Sequence, residues 1–463
     1  MSNTLALPTH LWAEMTNDLR RSEESAGVLL AAPVLDGDRV VLLAQKYRPV
    51  ADRHYLTREP LRLALDSAAW MPALGEAAEA GLQAIFVHTH PGGDPSPSEL
   101  DERVDEQLGE VFQRRLATRQ YASLILGGTV EQPSFTGRLS TGDLADARPL
   151  HYVRVVGQRL QLLNATGTAH SEGATDVAFD RQVLAFGAAG QATLRALRVG
   201  VVGAGGTGSS VIEQLLRLGV GELVVLDDDR VTSTNVTRVY GSTMRDIGEL
   251  KVDVAARNAE RIGLGTQVIP VAAKVSDAAG IHALRSCDAV FGCTDDNLGR
   301  TVLSRLPYWF LMPVIDMGVL IRAPEGAVTH LNGRVTVMSP GEACLLCRQR
   351  IDLRRARDES ETPERRRQLA EEGYASGLDD PDPSVITYTT AVAAQAVGML
   401  LQRLFGFGPA PLPSELLLRL DLHEVRSLGA NDNSNHLCRD PAQWARGDQE
   451  PPLGMPGLAA AAA

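Results

Sequence analysis

The stretch Leu197-Arg-Val-Gly-Val-Val-Gly203-Ala-Gly205-Gly206-Thr-Gly208-Ser decides the fold of the longer part of the chain. An apolar run enters a glycine cluster, and a helical pattern follows. Glycines let a backbone come close to phosphates, and the first turn of a helix attracts negative charge. Gly203, Gly205, Gly206 and Gly208 are therefore candidate nucleotide-binding positions. A second apolar run, Glu222-Leu-Val-Val-Leu-Asp227, ends in an acid about 20 residues past the loop, where a ribose-binding carboxylate belongs. From Phe179 onward, helical and strand-like segments alternate, which predicts an open, largely parallel sheet. The glycine loop alone does not choose between a dinucleotide and a triphosphate.

The residues beyond it favour the triphosphate. Asp227-Asp-Asp229-Arg-Val-Thr-Ser-Thr-Asn235-Val-Thr-Arg238 places an amide and a guanidinium just after the ribose acid, with Asp229 as a further carboxylate on the cofactor side. Lys251 follows, and Cys293-Thr-Asp295-Asp296-Asn comes at the end of a later strand, Asp288-Ala-Val-Phe-Gly. Cations and an amide clamp a triphosphate, and Asp295 suits Mg²⁺. NAD carries only a pyrophosphate and needs no magnesium, so a nicotinamide oxidoreductase fits less well.

A different chemistry precedes this one. In His88-Thr-His90-Pro-Gly-Gly-Asp-Pro-Ser-Pro-Ser98-Glu-Leu-Asp101, two histidines are one residue apart, and a serine and an aspartate trail them. On a strand, His88 and His90 share a face, because alternate side chains point the same way. The Pro/Gly segment forces a turn, and Asp101 on the next helix closes the set. Two imidazoles and a carboxylate are three zinc ligands, with the fourth tetrahedral position left for water. Attack on an amide also needs a base. Glu24, in Glu24-Ser-Ala-Gly27-Val-Leu-Leu, is the first candidate and Glu23 its competitor. Ser98 would donate to the developing oxyanion.

The combination Glu-x-x-Gly, His-x-His, seven residues, Ser, two residues, Asp resembles the JAMM motif of the JAB/MPN metallo-isopeptidases, over roughly the first 150 residues. The resemblance implies catalytic zinc on His88, His90 and Asp101, Glu24 as acid and base, Ser98 as oxyanion donor, and cleavage after the C-terminal glycine of a ubiquitin-like protein. Residues from about 176 to 440 resemble the ThiF-type adenylation domains of ubiquitin-activating enzymes and bacterial sulfur-carrier relatives. That resemblance assigns ribose binding to Asp227, phosphate contacts to Asn235, Arg238 and Lys251, and metal to Asp295. It includes Phe179-Asp-Arg181-Gln, similar to the family's Tyr-x-Arg-Gln start, and so implies that Arg181 reaches the ATP of the opposite subunit of a homodimer. The chain departs from the family at Val239, where a glutamine is usual.

Five cysteines, Cys287, Cys293, Cys344, Cys347 and Cys438, are too sparse for a disulfide framework and suit a reducing cytosol. Cys344-Leu-Leu-Cys347 is similar to the first half of the family's structural zinc site. The usual second Cys-x-x-Cys here reads Asn435-His436-Leu-Cys438, so either His436 is the fourth ligand or the site is unfilled and the cysteines are metal-free thiols. No cysteine stands between 348 and 437, where activating enzymes carry a transfer cysteine. Either the reaction stops at an acyl-adenylate, or another nucleophile serves, with Ser376 first and Ser384 second.

A net charge of −12 argues against nucleic-acid and anionic-membrane partners. No apolar run reaches the roughly 18 residues of a membrane span, and the N-terminus lacks signal-peptide character, so a cytoplasmic location is expected. The expected class is α/β, with a mixed α/β JAB/MPN domain over 1–163, a linker over 164–176, a Rossmann-like adenylation domain over 177–442 and a disordered tail over 443–463. The expected function is cleavage after, and ATP/Mg²⁺-dependent adenylation of, the terminal glycine of a small β-grasp ubiquitin-like protein, with a conjugating-enzyme-like partner. The rival is processing of a sulfur carrier for thiocarboxylate-based biosynthesis.

Overall fold

The computed structural model describes residues 2–60, 62–116, 120–140, 147–166, 177–361, 364–365, 383–429, 436–449 and 451–455. The chain is α/β throughout and divides into two compact units. The first comprises Met1–Gly173 with Trp309–Leu311 and Pro441–Gln449, the second the rest.

In the first unit the order is β1 (Thr4–Pro8), α1 (Thr9–Asn17), β2 (Ala26–Asp36), β3 (Arg39–Pro49), β4 (Tyr55–Glu59), β5 (Arg62–Leu65), α2 (Met71–Ala80), β6 (Gln83–Pro91), α3 (Glu99–Arg115), β7 (Tyr121–Gly128), β8 (Pro133–Ser140), β9 (Arg148–Pro149), β10 (Tyr152–Val156) and β11 (Leu160–Asn164). Nine strands form one mixed sheet in the order β11-β10-β1-β3-β2-β6-β7-β8-β9, and β4 and β5 form a separate hairpin. Leu5, Leu7, Leu29, Leu124 and Phe135 lie in its core. β6 is antiparallel to β2 and parallel to β7, so the strand carrying His88 and His90 is interior to the sheet.

The second unit continues with α4 (Asp180–Ala196), β12 (Arg198–Val202), α5 (Gly206–Leu218), β13 (Glu222–Leu226), α6 (Lys251–Ile262), β14 (Gln267–Val271), α7 (Ala278–Leu284), β15 (Ala289–Gly292), α8 (Asn297–Leu303), α9 (Leu306–Trp309), β16 (Val314–Arg322), β17 (His330–Met338), α10 (Leu353–Glu359), α11 (Ile386–Phe405), β18 (Glu415–Arg419) and β19 (Glu424–Ser427). Its sheet runs β14-β13-β12-β15-β16-β17-β18-β19. The first five of these strands are parallel and the last three antiparallel. Strand order reverses between β12 and β15, the crevice in which open α/β sheets bind ligands. β12, β13 and β15 read as continuous apolar runs because their residues are buried on both faces.

Of the stretch 443–463, residues 443–449 and 451–455 are described, and Trp444, Ala445 and Leu453 are buried in them. The Gln45 amide donates to the Ala445 carbonyl and the Gly447 N–H to that of Trp309. Composition marks a Pro/Gly/Ala-rich end as disordered because it cannot register a lone tryptophan and backbone groups satisfied by residues far away in sequence. No helix among the described residues is long and apolar enough to cross a membrane.

Candidate metal and nucleotide sites

On β6, buried Thr89 pins the neighbouring loop: the Ser25 N–H donates to Oγ1 of Thr89, and the Thr89 N–H donates to the Ser25 carbonyl. His88 and His90 take the opposite face together. The Pro/Gly turn after them is tied to the end of β7, since the Gly92 N–H donates to Gly128 and the Gly128 N–H to Gly93. Ser98 then starts α3 with a capping box: its hydroxyl accepts from the Asp101 N–H, and its own N–H donates to the Asp101 carboxylate. This brings Asp101 to the histidines. Nε2 of His88 lies 3.3 Å from one Asp101 oxygen, and Nε2 of His90 lies 3.5 Å from the other. One ligand atom from each of the three residues lies within 4.8 Å of the other two.

Both ring nitrogens of buried His88 are without a hydrogen-bond partner. A buried polar atom is costly to leave unsatisfied, and a cation bound at Nε2 removes that cost there. Nδ1 of His90 lies 3.0 Å from the Asp94 carbonyl, which as acceptor places the proton on Nδ1 and leaves the Nε2 lone pair free. Burial works against the His90 imidazolium, but the hydrogen bonds to Asp101 and Asp94 outweigh it and raise its pKa. Burial also opposes ionisation of Asp101, yet the His88 and His90 rings beside it hold its carboxyl well below the usual carboxylate range. Two imidazoles and an ionised carboxylate are a donor set that fits zinc.

Of the two competing glutamates, Glu24 is buried and its Oε1 lies 3.9 Å from Nε2 of His90, whereas Glu23 is exposed. Burial pushes the Glu24 carboxyl up to about 7. The β4–β5 hairpin holds this residue through Arg58, whose Nε donates to the Glu24 carbonyl and whose guanidinium also reaches Oγ of Ser25. Gly27 is a glycine for a steric reason, because the Tyr47 ring occupies the space a Cβ would need. Ser98 is exposed, and its hydroxyl donates to the Asp101 carboxylate at 2.7 Å. Arg58, Tyr47 and Asp94 carry no local motif; only the fold brings them to the site.

In the second unit the loop after β12 closes on itself. Gly203 adopts φ of +90°, and a Cβ there would sit 2.9 Å from the Cys293 carbonyl. A Cβ on Gly208 would run into the Gly203 carbonyl. Gly205 caps α5, and Gly206 opens it. Asp227 accepts the Ala204 N–H at 2.7 Å and the Asp229 N–H at 2.8 Å. Burial raises its pKa. Lys251 is buried at the start of α6, 2.6 Å from Asp229 and 3.6 Å from Asp227. Arg238 comes to the loop, its Cδ 3.3 Å from where a Cβ on Gly206 would stand, with Oγ of Ser384 at 3.5 Å from the same point. Oδ1 of Asn235 accepts the Thr232 N–H, which shapes the segment carrying Arg238. Asp295 is exposed on the loop after β15, whose residues Cys293 and Thr294 abut Gly203. Arg181 is exposed on α4. Val239 is buried, so its side chain packs rather than facing a polar ligand. Ser376 lies outside the described residues.

A third cluster joins Cys344, Cys347, His436 and Cys438, whose ligand atoms all lie within 4.8 Å of one another. Nδ1 of His436 is 3.5 Å from Cys344 Sγ and 3.3 Å from Cys438 Sγ, and Cys347 Sγ is 3.7 Å from Cys438 Sγ. Cys344 lends its hydrogen to Cys438, which lowers the Cys438 thiol pKa and raises that of Cys344. Three sulfurs and an imidazole are a donor set that suits a closed structural zinc site, and the fold brings His436 beside the three cysteines.

An open sheet with a glycine loop at its switch point, joined to a domain in which two histidines and an aspartate converge, defines the class of this two-domain chain. The chain belongs to the ThiF family, whose model matches residues 179–439, and its first domain matches the prokaryotic homologs of the JAB domain over residues 8–139. Among curated relatives, it is 33% identical over 162 residues to the SAMP-activating enzyme E1 of Haloferax volcanii, covering 35% of this chain and 56% of that protein. It is 31% identical over 177 residues to the molybdopterin-synthase adenylyltransferase of Salmonella typhimurium, covering 37% of this chain and 68% of that one. A Yarrowia lipolytica adenylyltransferase and sulfurtransferase, UBA4, is 29% identical over 159 residues, covering 34% of this chain and 39% of the relative. The chain thus spans little more than half the length of the archaeal relative.

Proposed function

We propose that the chain is a bifunctional enzyme of a bacterial-type ubiquitin-like pathway. Its first domain cuts after the terminal glycine of a small β-grasp protein, and its second activates that glycine with ATP and Mg²⁺. What carries the reading is the presence on one chain of a His88/His90/Asp101 half-site with Glu24 beside it and a nucleotide loop flanked by Asp227, Lys251 and Arg238. Both chemistries recognise the same object, a glycine-ended tail.

In the first domain, His88, His90 and Asp101 would hold zinc, which when bound supplies a Lewis acid for the scissile carbonyl. Glu24 Oε1 takes a proton from the attacking water and returns it to the leaving amine, acting first as base and then as acid. In the second domain, backbone N–H groups of the glycine loop and the start of α5 receive phosphates. Asp227 orients the ribose, Arg238 and Lys251 neutralise phosphate charge, and Asp295 would hold Mg²⁺, which when bound would offset triphosphate charge. A carboxylate oxygen of the tail attacks the α-phosphorus, and pyrophosphate leaves as the acyl-adenylate forms.

The protein acts as a cytoplasmic homodimer, and a conjugating-enzyme-like protein accepts the activated tail. Sulfur-carrier activation is the second reading. It is favoured by the absence of a cysteine between 348 and 437 and by likeness to a molybdopterin-synthase adenylyltransferase. The test is to incubate the enzyme, ATP and the ubiquitin-like partner, following exchange of labelled pyrophosphate into ATP and covalent adducts. Exchange with an adduct resistant to reductant but cut by hydroxylamine supports an oxyester on Ser376 or Ser384. Exchange without any adduct favours the sulfur-carrier reading, and no exchange overturns adenylation.

A further inference from the structure

The first unit contains a cluster around a buried carboxylate that the proposed cleavage chemistry does not use. Asp105, in the middle of α3, is buried. Its carboxylate accepts hydrogen bonds from the Tyr121 hydroxyl, from the Ser123 hydroxyl at 2.8 Å and from the Arg138 guanidinium. Tyr121 and Ser123 stand on β7 and Arg138 on β8, where Ser123 and Arg138 are register partners. One side chain therefore ties the helix to two strands at once.

The position of this tie matters. Asp105 lies four residues after Asp101 and so on the same face of α3, about 6 Å along its axis. β6 leads into α3 through the turn after His90, so the helix runs back along the sheet. Ser123 is level with Phe86 on β6, two residues before His88, or roughly 6.6 Å along the strand. The spacing of the two carboxylates on the helix thus matches the spacing of their two anchorages on the sheet. With Asp105 fixed at the level of Ser123, Asp101 arrives at the level of His88 and His90.

We infer that Asp105 is a positioning residue for the metal site: through Tyr121, Ser123 and Arg138 it sets the axial position of α3, and hence whether Asp101 meets the two histidines. The inference rests on the zinc reading of the His88/His90/Asp101 site. A buried carboxylate with three donors is costly to disturb, which makes the tie stiff rather than adjustable. Ser98 holds Asp101 from the other side, so the ligand is fixed by the helix cap and by the next turn. Supporting groups of this kind typically contribute 10–100-fold in metal affinity.

The test measures metal affinity and fold separately in the full-length chain. Asp105→Asn keeps the side-chain shape and removes the charge; Ser123→Ala removes a single hydrogen bond and serves if the first variant does not fold. Zinc affinity is measured by competition with a chromophoric chelator, and ligand geometry by the visible spectrum of the cobalt(II)-loaded protein. The histidine-and-carboxylate spectrum is separated from that of the thiolate cluster in a Cys344→Ser/Cys347→Ser background. The expected result is a loss of about tenfold or more in affinity for Asp105→Asn and a smaller loss for Ser123→Ala, with an altered cobalt spectrum and an unchanged cooperative unfolding transition of the apo-protein. In an Asp101→Ala background the same substitutions should change affinity no further, because the ligand they position is gone. Wild-type affinity and spectrum in the folded variants would overturn the inference, as would equal losses with and without Asp101. If the wild-type chain itself takes up no zinc or cobalt at this site, the zinc reading fails, and the inference with it.

Discussion

At the scale of single residues, function depends on groups whose environment differs from water. Glu24 is buried beside His90 yet belongs to no ligand set, so Glu24→Ala should leave zinc content unchanged and lower cleavage of a tail-extended substrate by roughly 10²–10⁴-fold, the usual contribution of a general base. Metal analysis together with a cleavage assay decides this; loss of zinc in the variant would make Glu24 a ligand instead. At the other metal cluster, His436→Ala should lower zinc from about two equivalents per chain to about one, since a closed site needs all four ligands. It should also lower the unfolding temperature, toward but not below that of chelator-treated wild type, which loses both ions. His88, His90 and Asp101 could be read as a set because each sits at a spacing with a fixed directional meaning. His436 could not be assigned, because one Cys-x-x-Cys half is incomplete and only proximity shows what replaces the missing sulfur. The choice of Glu24 over Glu23 likewise needed burial, which two adjacent glutamates do not reveal.

At the scale of elements, the sites are made at the junctions of strands with loops. β6 presents two histidines on one face because a strand alternates, and α3 begins where Ser98 and Asp101 satisfy each other's backbone groups. In the second unit the β12–α5 turn leaves no room for side chains. Gly208→Ala should therefore force the loop open, since its Cβ would meet the Gly203 carbonyl. We expect a loss of about 1–3 kcal/mol in stability, read as a lower urea midpoint, and a larger proportional loss of ATP binding. The same change at Gly205, where nothing lies within 4 Å of the added atom, should cost less stability. The glycine loop was legible as a turn from strand to helix from its pattern alone. That Gly203 packs on the backbone of the loop carrying Asp295 was not, because 90 residues separate Gly203 from Cys293 and only the parallel pairing of β12 with β15 brings them together.

At the scale of the molecule, each of the two proposed chemistries falls to a different domain, and the two should be separable. Asp295→Ala should abolish pyrophosphate exchange and leave zinc-dependent cleavage intact, while Glu24→Ala should do the reverse; a variant that abolished both would show that the sites are coupled. Arg181 is exposed on α4, which suits a residue that completes a neighbour's site. Mixing Arg181→Ala with Asp295→Ala protein should then restore part of the exchange activity, and no rescue despite proven subunit exchange would refute action in trans. The sequence by itself determined the α/β class, the join of a JAB-type and a ThiF-type domain, and the residue types of both candidate sites. These rest on short-range periodicity and spacing: period two on β6, a glycine turn between β12 and α5, an acid at the end of β13. Only the tertiary structure decided which glutamate faces His90, that His436 stands with the three cysteines, that Pro441–Gln449 pack with the first unit, and that Asp105 ties the helix bearing Asp101 to β7 and β8. Each of these is a contact between residues remote in the chain or a difference in burial between neighbours, and such facts are set by packing a whole domain rather than by any local pattern.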